Sequence, residues 1–312
     1  MTLFATVSAR LLRPAALSAA ALLAATAAQA DPVSFETAQG AMELPAAPQT
    51  IVAYELASVD TLAALGHVPA GVPGPIYVPH IAEQAADAQT VGTLFEPDFE
   101  AVAAMQPDLV VVGLRSLKQK DALERIAPVA DMSVGPDAVT DGLARLAAFG
   151  ALLGEEDKAA ELAAQVDTKL AAARAAVEAT GGNALIVLTN GPKVSAYGIG
   201  SRFGWLHSQL GWPAAADEID ASSSHGEAIS FEFIADVNPD TLIVVDRGAA
   251  IQSGDQNGLT TLDNELVHST TAWKEGRVLF VPAAEMYISS GGVQSLMTVL
   301  DAITEGLSES AS

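Results

Sequence analysis

Three arginines stand where an apolar run ends or a glycine-rich turn opens. They are Arg115 in Val111-Val112-Gly113-Leu114-Arg115, Arg202 in Gly200-Ser201-Arg202-Phe203-Gly204, and Arg247 in Val244-Val245-Asp246-Arg247. A guanidinium keeps its charge at any working pH and offers a planar fork of donors suited to oxyanions. Any one of the three could equally be solvated or paired with a local acid. Brought together they would repel one another, so a shared site implies an anionic ligand. Two more residues add a different chemistry: His225 in Ser222-Ser223-Ser224-His225-Gly226 and Tyr287 in Glu285-Met286-Tyr287-Ile288-Ser289-Ser290-Gly291-Gly292. Alone, each reads as a loop residue serving a backbone group. Together in a cleft they would offer an imidazole nitrogen and a phenolate oxygen, both suited to Fe(III), without making a closed protein-only metal site. His67, His80, His207 and His268 show no ligand spacing and read as structural or solvated.

Motifs for enzymatic chemistry do not form. Gly198-Ile199-Gly200-Ser201-Arg202-Phe203-Gly204 approximates a dinucleotide loop, but its last glycine comes one residue late. There is no G-x-S-x-G elbow and no Walker lysine loop. No local context singles out a Ser/His/Asp triad, and the expectation is a binding protein, not an enzyme.

The elements that must position these residues are legible as an internal repeat. Asp98-Phe99-Glu100, followed by Met105-Gln106-Pro107-Asp108-Leu109-Val110-Val111-Val112, is echoed by Ser230-Phe231-Glu232, followed by Val237-Asn238-Pro239-Asp240-Thr241-Leu242-Ile243-Val244-Val245. Each copy reads as a helix N-cap, a short helix, a Pro-Asp stop and a buried strand, with Arg115 or Arg247 just past the strand's carboxyl end. Ligands of open α/β sheets bind at that end. Strands are expected at 50–54, 108–113, 184–189, 193–197, 241–246 and 277–281, alternating with helical patterns as in α/β units with mainly parallel sheets. One long helix is expected over 155–180, where Ala159, Leu162, Ala163, Val166, Leu170, Ala173 and Val177 keep helical spacing before Gly181-Gly182. The expected fold is therefore α/β: two Rossmann-like lobes, 31–154 and 181–312, joined by that single helix at 155–180, with a ligand cleft between them.

Composition narrows the function further. The 312 residues carry 15 Lys plus Arg against 38 Asp plus Glu, a formal net charge of −23, which excludes a nucleic-acid binder on global electrostatics. Half the residues are hydrophobic and 17% are charged, enough to bury a large core and too apolar for general disorder. There is no cysteine, hence no disulfide, thiolate metal site or lipid-modified cysteine. Residues 1–30 read as an export signal, with Arg10 and Arg13 before an uncharged apolar stretch and Ala28-Gln29-Ala30 as the cleavage site. The apolar run is too short to span a bilayer. Its removal takes both arginines and no acid, leaving an expected net charge of −25 and a soluble periplasmic protein without a lipid anchor.

From Thr50 onward the chain resembles the periplasmic or surface-anchored binding proteins of ABC importers for ferric siderophores, in particular the catecholate-binding branch. The resemblance rests on Val91-Gly92 with Phe99-Glu100 to Gly113 and Arg115, Leu188-Thr189-Asn190, Ser195-Ala196-Tyr197-Gly198 with Ser201-Arg202-Phe203-Gly204, His225-Gly226 with Ile229-Ser230, Val244-Val245-Asp246-Arg247, and Tyr287 with Ser289 to Gly291. It implies two lobes with small opening motions about a rigid helix and a shallow cleft for a ferric chelate. It further implies that Arg115, Arg202 and Arg247 surround the catecholate oxygens, and that His225 and Tyr287 take the two iron positions a tetradentate chelator leaves open. Glu100 and Glu232, one per lobe, would dock on an inner-membrane ABC permease. Fe(III) enters only as part of the bound siderophore, with no intrinsic cofactor, and the protein is expected to be a monomer. Another anionic metal chelate (haem, a hydroxamate or a citrate complex) or a non-transport periplasmic sensor on the same fold are the alternatives. Many proteins of this kind are lipoproteins with an N-terminal cysteine; this sequence departs from them in having none.

Overall fold

Two five-stranded sheets carry the architecture in the computed structural model, which describes residues 2, 31–221, 223, 225–254 and 256–310. The expected export signal at 1–30 lies outside the described residues, apart from residue 2. The first sheet contains β3 (Ile51–Ala53), β4 (Gly71–Val72), β5 (Gln89–Thr90), β6 (Leu109–Val112) and β7 (Val129–Asp131), in the order β5-β4-β3-β6-β7. All of its pairings are parallel. The second contains β8 (Ala184–Asn190), β9 (Lys193–Tyr197), β10 (Glu227–Ile229), β11 (Thr241–Asp246) and β12 (Val278–Phe280), in the order β10-β9-β8-β11-β12. Here β9 runs antiparallel to both neighbours. A hairpin of β1 (Val33–Thr37) and β2 (Gly40–Leu44), which the sequence patterns did not announce, precedes both sheets.

The apolar runs at β6 and β11 exist because both faces of each strand are covered. Leu109 and Val111 face one core while Val110 and Val112 face another. In β11, Ile243 and Val245 join the first core and Leu242 and Val244 a third. The inner core is continuous, taking residues from both sheets and from the helix Glu156–Thr180. At 1.5 Å per residue this helix is about 37 Å long. It starts one residue later than expected, with Glu155 as an N-cap that makes no side-chain cap bond. Ala159, Val166, Leu170, Ala173 and Val177 are buried, Leu162 and Ala163 partly so, and Gly181 ends it at φ 68°.

The repeat is a repeat of corners. Asp98 accepts from the Ala101 amide at 3.0 Å and Ser230 from the Phe233 amide at 3.3 Å, capping helices Phe99–Met105 and Phe231–Val237. Both helices stop on a non-glycine residue in the left-handed region, Gln106 at φ 50° and Asn238 at φ 45°. The proline that follows cannot continue a helix, and the aspartate after it ties the corner to the neighbouring strand. Asp108 accepts from the Gln49 and Thr50 amides at 2.9 and 2.8 Å, and Asp240 from the Asn183 amide at 2.9 Å.

A second link joins the two sheet systems. The helix Val293–Ser310 packs on both Glu156–Thr180 and Leu56–Leu65. Fully buried Asp60, from the latter, accepts from the Gln294 and Ser295 amides at 2.8 Å each and from the His80 ring nitrogen at 3.1 Å. The segment leading into this helix is tight: a side chain at Gly142 would begin 2.4 Å from the Gly291 carbonyl oxygen, so only glycine permits the crossing. Asp31–Ser312 accordingly form one compact unit. Among the described residues no helix is long and apolar enough to cross a membrane.

Candidate functional site

Tyr287 is the focus on which the three arginines converge. It ends the short helix Ala283–Tyr287, so its carbonyl oxygen has no helical partner. Arg115 supplies one through Nη2 at 2.7 Å, with Nη1 reaching the Ile288 carbonyl at 3.3 Å. Arg202 donates Nη2 to the same Tyr287 oxygen. Arg247 approaches from the other end, donating Nε to the Tyr287 hydroxyl at 3.2 Å and Nη1 to Asn190 Oδ1 at 3.1 Å. The guanidinium carbons lie 4.4 Å (Arg202) and 5.8 Å (Arg115 and Arg247) from the ring centroid, within cation–π range.

Local sequence explains each placement. Arg247 follows β11 directly, held at the start of a one-turn helix whose N-cap is Asp246. Arg115 sits in the turn after β6. Arg202 rides a loop in which Ser201 binds the Gly198 carbonyl through both its amide and its hydroxyl, at 3.1 and 2.6 Å. That loop closes so tightly that a side chain at Gly204 would begin 2.4 Å from the Gly198 oxygen. The glycines that looked like a poor dinucleotide motif are there to present Arg202.

The electrostatics follow. Burial alone would raise the Tyr287 phenol, but the Arg247 hydrogen bond and the charges of Arg202, Arg247 and Arg115 outweigh it and bring it below the ordinary tyrosine range. Arg202 is pressed down first by burial and then by the Arg115 charge, while Tyr287 and Tyr197 pull it back up. Buried Glu55, beside both, is pushed up by burial while Arg115 pulls it down.

A cavity of about 300 Å³ opens on this cluster, lined by Leu188, Asn190, Lys193, Ser195, Tyr197, His225, Arg247 and Tyr287. His225 and Tyr287, paired on chemistry alone, therefore face the same space. Every lining residue comes from after position 181, so this cavity is not framed equally by both strand systems; the first contributes Arg115, which reaches over Tyr287. Glu100 and Glu232 do not line it and are exposed at the second position of their matching helices. Asn190, Ser195 and Tyr197 lie in stretches that carry the family resemblance, without a role assigned to them there, whereas Glu55 and Lys193 carry no signal of a site in residue type or motif. Only three residues separate β8 and β9 by their expected limits, too few for a parallel crossover, so an antiparallel β9 showing Lys193, Ser195 and Tyr197 on one face was readable in principle.

Comparison with known proteins places this geometry. A family model described as periplasmic binding protein matches residues 51–285. The petrobactin-binding protein YclQ of Bacillus subtilis (strain 168) is 32% identical over 270 residues, covering 85% of this chain and 84% of its own. Its crystal structure superimposes with a TM-score of 0.82 over 89% of this chain and 99% of that one. The ferric-anguibactin-binding protein FatB of Vibrio anguillarum is 31% identical over 286 residues, 88% of this chain and 87% of its own. The crystal structure of the periplasmic catecholate-siderophore binding protein VctP of Vibrio cholerae matches at 28% identity with a TM-score of 0.81, over 88% of this chain and all of that one. The chain belongs to the periplasmic binding protein family, in the company of relatives that bind siderophores.

Proposed function

We propose that this protein captures a ferric catecholate-type siderophore and delivers it to an ABC permease for iron uptake, acting as a binding protein without catalysis. The observation that carries the reading is the convergence of Arg115, Arg202 and Arg247 on Tyr287 beside a cavity that also holds His225. Three guanidiniums suit a chelate whose iron is wrapped in anionic catecholate oxygens, each charged hydrogen bond contributing roughly 1.5–3 kcal/mol. The arginines lower the Tyr287 phenol below its ordinary range, the direction that favours loss of its proton to Fe(III), and with His225 it offers two donors to iron. A bis-catecholate leaves two iron positions open; a tris-catecholate leaves none. Glu100 and Glu232 serve as docking groups for the permease, one on each repeat. Residues 1–30 act as a cleaved export signal, and the mature chain, 31–154 and 181–312 about the helix at 155–180, works as a periplasmic monomer without a lipid anchor.

The test compares chelators by tryptophan quenching, Trp205 being buried three residues from Arg202. His225→Ala and Tyr287→Phe should each weaken a ferric bis-catecholate by at least about tenfold and barely affect a ferric tris-catecholate, by analogy with losses of metal-supporting groups. Tyr287→Phe should shift the charge-transfer band of the bound bis-catecholate, whose binding should weaken as pH falls and protons compete for both donors. Equal losses for both chelates with no spectral change would reduce the two residues to cleft lining.

A further inference from the structure

The cavity extends past the arginines and iron-binding pair along β9, and what it meets there is a fourth cation. Side chains two apart on a strand share a face, so Lys193, Ser195 and Tyr197 form a row along the cavity wall, while Val194 and Ala196 turn into the opposite core. The row is graded: Tyr197 buried, Ser195 half-buried, Lys193 exposed at the mouth. Four residues of strand separate its ends by roughly 13 Å. Register sets Lys193 opposite Asn190, whose oxygen is engaged by Arg247. Among the described residues Lys193 has no acid and no hydrogen-bond acceptor as partner, although the protein carries 38 acidic residues against 15 basic ones. An ammonium left without a partner on a cavity wall in so acidic a chain is placed for an anion that arrives with the ligand.

We infer that Lys193 forms a peripheral subsite that reads a carboxylate on the chelator's backbone, remote from the iron, and so selects siderophores built on an amino-acid or hydroxy-acid spacer over those with a neutral one. This deepens the ferric catecholate reading and rests on it. The negative charge around iron already meets three arginines gathered at Tyr287, whereas Lys193, across the strand pair from Asn190 and exposed to solvent, is free to meet a group that the chelate projects out of the cavity. An ammonium is a compact point charge on a long flexible stem, suited to a single carboxylate whose position varies among ligands.

Two probes isolate the effect because they share denticity and spacer length: lysine acylated on both amines by dihydroxybenzoate, and diaminopentane acylated likewise, each loaded with Fe(III). The first carries a free carboxylate and the second does not. Wild-type protein should bind the lysine chelate roughly fivefold more tightly, the upper range for a solvent-facing ion pair, and the preference should shrink with added salt. Lys193→Ala should bind both chelates alike, and Lys193→Arg should restore the preference. Equal binding by the wild type, or a preference that survives in Lys193→Ala, overturns the subsite while leaving the arginine cluster in place. Binding of neither ferric chelate by the wild type overturns the catecholate reading and the subsite together.

Discussion

Arg115 and Arg247 end matching strands of a repeated unit, yet they bond to different partners. Arg115 spends both terminal nitrogens on backbone carbonyls of Tyr287 and Ile288, more than 170 residues away in sequence. Arg247 engages side chains, the Tyr287 hydroxyl and Asn190, within the cavity itself. The difference comes from the strand beside the central one. In the first sheet β4 lies parallel to β3; in the second, β9 turns straight back on β8 and brings Lys193, Ser195 and Tyr197 to the cavity. One reversed strand brings a row of side chains to the cavity, and the unreversed copy supplies the Arg115 clamp.

The comparison breaks first at docking, where the two copies should be equal. Glu100 and Glu232 are both exposed at the second helical position, and Glu232 is held below the ordinary carboxylate range by its own amide and by Ser230. Glu100→Ala combined with Glu232→Ala should abolish chelate uptake by cells while the affinity of the purified protein stays unchanged; normal uptake would return both to plain helix-dipole acids. Next in size is the second link between the sheets. Asp60→Ala removes a helix cap together with hydrogen bonds to a buried carboxylate, and should lower unfolding free energy by roughly 2–4 kcal/mol in urea titration. A loss under 1 kcal/mol would mean that the link is ornamental.

Reading and clamping should also separate in affinity. Arg202→Ala and Arg247→Ala should each weaken ferric catecholate binding about tenfold or more, with Arg115→Ala costing roughly a third as much, because its fork is committed to carbonyls. Equal losses for the three would erase the asymmetry. The smallest effect concerns His80, which touches Asp60 and stands 4.0 Å from Glu285. Burial lowers its basicity, but the Asp60 hydrogen bond and charge and the Glu285 charge together raise it. Its stabilising contribution is therefore complete below about pH 6.5 and lost as pH rises through the raised value. The melting-temperature gap between wild type and His80→Gln should narrow from acid to alkaline pH; a constant gap would show that His80 stays neutral in the fold.

Much of this was legible before any coordinates. The corners built by Asp98, Gln106 and Asp108 and by Ser230, Asn238 and Asp240 declare themselves because capping and proline rules are local. The buried strands and the long helix do so through periodicity. The convergence of the arginines was readable from the likeness between two copies for Arg115 and Arg247 and from the family resemblance for Arg202, but the bonds to the Tyr287 and Ile288 carbonyls were not, since a backbone acceptor leaves no trace in residue type. Glu55 and Asp60 carry no signal for a related reason: one is an ordinary acid capping a helix and the other an acid within that same helix, and their meaning comes from Arg115 and from Ser295 far along the chain.

The Asp60 contact also bears on when this protein becomes a protein. Its partners at Gln294 and Ser295 lie 234 and 235 residues downstream, and the helix they begin covers both Leu56–Leu65 and Glu156–Thr180. Closing so long a loop is slow, because the entropy of joining distant segments precedes any reward from the contact. The early sheet therefore cannot complete its core from its own residues, and a nascent chain stopped short of position 293 holds an exposed apolar face and an Asp60 carboxylate left with His80 but without the Gln294 and Ser295 amides. On the export proposed above, delayed closure would be an advantage: the chain would stay threadable until its last helix had followed it across.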